Sequence, residues 1–112
     1  MYLLVIGGNS DIGLAIAKKF IEVGCNIYLT TRDNKQTKID LNNNKNKVEY
    51  INFDLLDFKE HRTFYYKLDP KPDIVLCAAG LLYHNNDLLS NFSKAKQIID
   101  TNFTAYVSIL NI

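Results

Sequence analysis

Val5-Ile6-Gly7-Gly8-Asn9-Ser10-Asp11-Ile12-Gly13-Leu14-Ala15-Ile16-Ala17 is a short apolar run that breaks into a glycine turn and re-emerges with helical periodicity. Such a pattern reads as strand, loop and helix. The first turn of a helix leaves backbone N–H groups unpaired at the positive end of the macrodipole. A strand feeding such a turn therefore makes an anion site of phosphate size. A nucleotide is the first partner the sequence suggests.

Outward from this stretch, strands and helices alternate. Met1 to Ile6 is almost wholly apolar, as expected of a parallel strand covered on both faces at the centre of a sheet. Asp11 to Val23 places Ile12, Ile16 and Phe20 four apart with Lys18, Lys19 and Glu22 opposite, and Gly24 follows as a C-terminal cap. Cys25 to Thr31 reads as a second strand, and Arg32 to Lys47 turns polar and asparagine-rich, so a loop with at most one short helical turn fits it best. Val48 to Phe53 is a third strand and Leu56 to Leu68 a moderately amphipathic helix. Asp69-Pro70-Lys71-Pro72 punctuates the approach to a fourth strand, Asp73 to Ala79. From about Phe92, Ala95, Ile98, Ile99, Asn102, Phe103, Tyr106, Val107 and Leu110 recur at helical spacing. Alternation of this kind forces parallel pairing and gives an α/β fold, a doubly wound parallel sheet ordered 3-2-1-4. In such sheets ligands bind beyond the carboxyl ends of the strands at the switch point, where the glycine turn and Cys77-Ala78-Ala79-Gly80 should meet.

Composition narrows the partners. With 112 residues and 47% hydrophobic content, the chain suffices for one domain or part of one. A net charge of +1 with 22% charged residues offers neither the basic excess that favours nucleic acid nor an acidic tail. Met1 to Ile6 is too short and too abruptly ended for a secretion signal or membrane span, so the expectation is a cytoplasmic chain with no membrane partner. Cys25 and Cys77 lie far apart in apolar segments and read as reduced structural thiols. His61 and His84 have no Cys, Asp or Glu at ligand spacing, so no metal site is expected and both read as surface residues.

Four short motifs, in order along the chain, resemble those of the short-chain dehydrogenase/reductase (SDR) family, Rossmann-fold oxidoreductases that use a nicotinamide cofactor. The family's T-G-x-x-x-G-x-G aligns with Ile6 to Gly13, keeping Gly7 and Gly13 and placing Asp11 where the middle glycine usually stands. Asp54-Leu55-Leu56-Asp57 resembles its D-[VLI]-x-D segment, Cys77-Ala78-Ala79-Gly80 its N-N-A-G, and Asn102 its helix asparagine. The resemblance covers nearly all of this chain but about half of a usual family domain, which implies an N-terminal portion of the NAD(P)-binding domain over residues 1–112. A longer, sugar-nucleotide-modifying SDR group would need glycine where Ser10 stands, and the Cys77 to Gly80 segment argues against it.

The resemblance implies a dinucleotide site built from Gly7, Asn9, Ser10, Asp11, Ile12, Gly13, Thr31, Arg32, Asp54, Leu55, Cys77, Ala78, Ala79 and Gly80. Gly7 and Gly13 suit a place where a pyrophosphate approaches the backbone and a helix packs on the sheet. Asp11 is expected to cap the helix and to touch no phosphate, since its charge would repel one. NAD-preferring members carry an acid at the end of the second strand. Here Thr31 stands in that place and Arg32 follows, which favours the extra phosphate of NADP over NAD, a solvated loop arginine being the alternative. Asp54 and Leu55 would border the adenine, and Asp54 would serve equally as a helix N-cap. Small side chains at Cys77, Ala78 and Ala79 let the backbone run close to the nicotinamide ribose, while the loss of both signature asparagines leaves their hydrogen bonds unassigned. Asn102 corresponds to a catalytic position of the family, where the residue kinks its helix and holds a water in a proton relay.

None of the seven tyrosines has a lysine four residues on, and the family's serine, tyrosine and lysine have no counterpart in the chain. Alone, the chain is expected not to turn over substrate, and its fourth strand and last helix, with Ile98, Ile99, Phe103, Val107 and Leu110, are expected to lack cover and to favour association. The family often pairs through this last helix, which makes a homo-oligomer one expected state. Two functions stand. One is the cofactor-binding half of an NADP-dependent reductase that moves hydride between nicotinamide and a small carbonyl or alcohol substrate. The other is a non-catalytic nucleotide-binding module or inactive remnant of the family.

Overall fold

The structure, a computed structural model, describes residues 1–32 and 45–112. Four parallel strands, β1 (Tyr2–Ile6), β2 (Asn26–Thr31), β3 (Val48–Asn52) and β4 (Ile74–Cys77), form one sheet in the order β3-β2-β1-β4. This is the expected doubly wound order, with β1 paired to β2 on one side and to β4 on the other. Leu3 and Val5 of β1 point into one buried cluster and Leu4 and Ile6 into another, because successive side chains alternate across a strand. That two-sided burial is why the run is continuously apolar.

Helix α1 (Asp11–Glu22) covers the first face through Gly13, Ala17 and Ile21. The expected stripe of Ile12, Ile16 and Phe20 is rotated by about one residue, and Ile12 is 70% exposed. Gly13 has to face the glycine turn, which turns Ile12 outward. Ser10 caps α1, its Oγ accepting from the Gly13 N–H at 2.9 Å. Asp11 therefore does not cap the helix as expected; it sits in the first turn, exposed, where its charge complements the dipole. At the other end Gly24 adopts φ +93°, and the Gly24 and Cys25 amides donate to the Ile21 and Phe20 carbonyls, which closes the helix with a Schellman motif.

The second face is covered by α2 (His61–Lys67) and α5 (Ala105–Leu110), which bury Phe64, Ala105 and Ile109 with Leu4, Ile6, Tyr28 and Phe53. Helix α2 starts later than its periodicity suggests. Asp54 Oδ1 accepts from the Leu56 N–H at 2.9 Å and the Asp57 amide donates to the Asp54 carbonyl, so Asp54 to Asp57 form a turn, followed by a 3-10 turn at Phe58–Glu60. The remaining helices are α3 (Asn85–Leu88) and α4 (Phe92–Ile99), and α4 runs through a π-helical turn at Asp100–Thr104 into α5. Their outer faces leave Ile99, Phe103, Val107 and Leu110 between 51% and 67% exposed, and Ile74 and Val75 of the edge strand β4 are 37% exposed. No described helix is long and apolar enough to cross a membrane. Residues 33–44, most of the polar segment expected as a loop, lie outside the described residues.

Candidate functional site

At the carboxyl end of the sheet β1 leads directly into Gly7, whose φ of +86° is a conformation side chains rarely adopt. A methyl group at Gly7 would lie 2.4 Å from the Ala79 nitrogen, so the glycine turn and the loop after β4 touch through backbone. Gly13 is as constrained in space, since a methyl there would meet the Gly7 oxygen at 2.9 Å. The turn is tied to β2 by the Gly8 N–H donating to the Thr30 carbonyl at 2.8 Å and by buried Thr30, whose Oγ1 accepts from the Gly7 N–H at 3.1 Å and donates to the Val5 carbonyl at 3.3 Å. Because Gly13 is consumed by the Ser10 cap, the first-turn amides left as donors among the described residues are those of Asp11 and Ile12.

These elements surround a cleft of about 290 Å³. Nine of the residues expected at a nucleotide site line it: Gly7, Asn9, Ser10, Thr31, Arg32, Asp54, Leu55, Ala79 and Gly80. Asp11, Ile12, Gly13, Cys77 and Ala78 lie outside the lining; Gly13 and Ala78 support it from behind, 3.3 Å separating the Ala78 methyl from the place a Gly13 methyl would take. Arg32 stands exposed at the rim beyond β2, while Thr31 beside it is buried. A wider hollow of about 450 Å³ outside β3 shares only Phe53 and Asp54 with the cleft and does not reach the glycine turn.

The loop after β4 is held from the long carboxyl-terminal helix. Asn102, in the π-helical turn, accepts from the Leu81 N–H at 2.8 Å through Oδ1 and donates to the Leu81 carbonyl at 2.9 Å through Nδ2. One turn on, the Tyr106 hydroxyl donates to the Ala79 carbonyl. Burial, reinforced by the neighbouring Cys77 thiol, pushes Tyr106 up to about 12. Burial likewise raises Cys77, which stays a neutral thiol, and neither cysteine is in a disulfide.

Sequence reasoning missed three residues here. Thr30 and Thr101 both border the cleft, and Thr101 Oγ1 is buried with no partner among the described residues. A threonine at the end of an apolar strand, and another beside Asn102, were the available signals. His61, expected at the surface, is 1% exposed, with Nδ1 2.9 Å from Ser108 Oγ and Nε2 2.8 Å from the Leu55 carbonyl; Ser108 is remote in sequence and Leu55 is reached through backbone, so no side-chain pattern marks it. His84 is exposed as expected. Among the described residues no three His, Cys, Asp or Glu side chains gather as a metal site would require.

The family model for short chain dehydrogenase matches residues 2–112. Solved structures similar to this chain include a 3-oxoacyl-[acyl-carrier protein] reductase from Brucella melitensis in complex with NAD, at 27% identity and TM-score 0.86 over 98% of this chain and 46% of that one. A short-chain dehydrogenase/reductase from Vibrio parahaemolyticus matches at 26% identity and TM-score 0.80, covering 99% of this chain and 50% of that one. A short chain dehydrogenase from Leptospira borgpetersenii with bound NAD+ shares the fold at 19% identity and TM-score 0.81, over 98% of this chain and 43% of that one. This chain thus spans about half the length of the structures it matches. With the glycine turn, the strand order and the family match in agreement, the chain belongs to the short-chain dehydrogenase family.

Proposed function

We propose that residues 1–112 form the cofactor-binding half of an oxidoreductase that uses NADP(H) and moves hydride between nicotinamide and a small carbonyl or alcohol substrate. The observation that carries this reading is a single cleft joining the strained Gly7 turn, the Ser10 cap of α1 and Arg32. The residues present fit a dinucleotide: the missing Cβ at Gly7 lets the loop after β4 close against the turn and frame the cleft, and the Asp11 and Ile12 amides at the start of α1 are left as anion donors. On this reading Gly7 and Asn9 to Gly13 hold the pyrophosphate, Thr31 and Arg32 the adenosine ribose with its 2′-phosphate, Asp54 and Leu55 the adenine, and Cys77 to Gly80 the nicotinamide ribose. Arg32 suits a phosphate because its guanidinium offers paired donors. Asn102 keeps the loop after β4 in place and takes the family's proton-relay position. When bound, the nicotinamide supplies the hydride chemistry.

Titration of the chain with NADPH and NADH, followed by nicotinamide fluorescence, tests the cofactor. Tighter binding of NADPH, lost in Arg32→Ala with NADH binding unchanged, is the expected result. Equal affinities in the unaltered chain would overturn the NADP preference, and no binding of either would overturn the nucleotide reading.

A further inference from the structure

The cleft wall formed by Phe53 to Leu56 has a support that no motif predicts. His61 opens α2 with its ring wholly enclosed between Phe53 and Phe58, at centroid separations of 5.5 Å and 5.2 Å. A carbonyl oxygen only accepts, so at 2.8 Å from the Leu55 oxygen Nε2 carries a proton, while Nδ1 pairs at 2.9 Å with the Ser108 hydroxyl, a group able to donate or accept. The ring thereby links Leu55, which lines the cleft, to α5, which packs beside α2 on the same face of the sheet. Phenylalanine or leucine would fill this volume but would take the His61 partner from the Leu55 carbonyl and the Ser108 hydroxyl. A histidine with both nitrogens partnered is a directional tie on one backbone carbonyl.

Resting on the nucleotide reading of this cleft, we propose that His61, braced by Ser108, is the positioning residue for the adenine-binding wall: its Nε2–H fixes the Leu55 carbonyl and with it the backbone from Phe53 to Leu56. The ring itself touches no ligand. It acts by holding the wall in the bound geometry before the nucleotide arrives, so that less ordering cost falls on binding. The glycine turn is held by Thr30, with which His61 shares no hydrogen bond, so removal of the His61 bonds should leave that end of the cleft in place.

The test uses the full chain with AMP as the adenine probe and inorganic pyrophosphate as the probe for the glycine turn. His61→Phe keeps the ring volume and removes both hydrogen bonds; it should raise the Kd for AMP about tenfold, the equivalent of one lost hydrogen bond. Pyrophosphate affinity should stay within about twofold, as for uncoupled sites. His61→Gln, whose amide nitrogen can reach the place of Nε2, should restore AMP binding, whereas His61→Asn, which reaches only toward Ser108, should not. In the unaltered chain the ring 15N resonances should show the Nε2–H tautomer and shift on addition of AMP. AMP binding unchanged in a folded His61→Phe chain, or equal in the Gln and Asn variants, would overturn the proposal. Where none of the variants folds, ring resonances unmoved by saturating AMP would do so. Failure of AMP to bind the unaltered chain would instead bring down the nucleotide reading itself.

Discussion

Three glycines separate backbone strain from lack of space, and together they test whether the turn after β1 really touches the loop after β4. Gly7 has both constraints, with φ at +86° and a methyl position 2.4 Å from the Ala79 nitrogen. Gly24 has the strain alone, with φ at +93° and nothing within 4 Å. Gly80 has neither, its nearest neighbour being Asn102 Oδ1 at 3.6 Å. A left-handed conformation costs a side chain about 1–2 kcal/mol. Overpacking adds about 1–3 kcal/mol, and here the obstacle is backbone that cannot rotate away. Gly7→Ala should therefore lose about 2–5 kcal/mol, Gly24→Ala about 1–2, and Gly80→Ala less than about 0.5. For a small domain whose whole stability is on the order of 5–15 kcal/mol, the first change removes a large share. Urea unfolding followed by far-UV circular dichroism gives all three values, with unchanged m-values showing that the unfolded state is not the cause. A Gly7→Ala chain as stable as Gly24→Ala would refute the contact between the two loops, and with it the cleft they frame.

Thr30→Val keeps the volume beneath the turn but orphans the Gly7 N–H, and should cost about 1–3 kcal/mol in the same assay. Thr101→Val should instead be neutral or stabilise by up to about 1 kcal/mol, because its Oγ1 has no partner to lose among the described residues. A marked loss would show that this hydroxyl is satisfied in solution. The Tyr106 hydroxyl is raised from 10.0 to about 12, so the folded state holds its proton more tightly than the unfolded one. Its contribution is complete below pH 10 and is lost as pH rises through about 12. Stability should therefore fall above pH 10 more steeply in the unaltered chain than in Tyr106→Phe, with ultraviolet titration showing Tyr106, like buried Tyr28, ionising later than an ordinary tyrosine. Sedimentation should detect concentration-dependent association through the exposed Ile99, Phe103, Val107 and Leu110 face, relieved in Phe103→Glu.

The sheet was legible because central parallel strands buried on both faces leave apolar runs, as β1 does, and because the edge strand β4, though half open, keeps the same composition; β1, β2 and β4 fall within one or two residues of their expected bounds. Gly24 as a helix terminator and the meeting of the glycine turn with Ala79 and Gly80 followed from the same reading. What escaped was set by tertiary contact. Ile12 is apolar at a helical spacing yet points outward, because Gly13 has to face the turn. Asp11 and Ser10 are both good caps, and the position of Ser10 just outside the first turn decided between them. The start of α2 was displaced by the side-chain bond of Asp54 to Leu56, a competition between local turn and helix that composition does not resolve. His61 was misplaced because its burial depends on partners for both nitrogens, and these, the Leu55 carbonyl and the Ser108 hydroxyl of α5, are brought to it by the fold.

The absence of the two asparagines at Cys77 and Ala78 raises the question of what holds the loop after β4, and the π-helical turn bears on it. That turn inserts an extra residue into the helix and lies between α4, whose packing is with α3, and α5, which is seated on the core by Ala105 and Ile109. Asn102 and Tyr106, one turn apart, project to the same side and hold the Leu81 amide and carbonyl and the Ala79 carbonyl. Thus the loop after β4 is fixed by the helix that follows it, with small residues at Cys77 to Ala79 leaving room for the Gly7 turn. If this is the compensation, Asn102→Leu and Tyr106→Phe should each loosen the loop, seen as faster amide exchange at Gly80 and Leu81, while Gly8 and the strands keep their protection. Exchange unchanged at Gly80 and Leu81 in both variants would mean that the loop is held from the sheet instead.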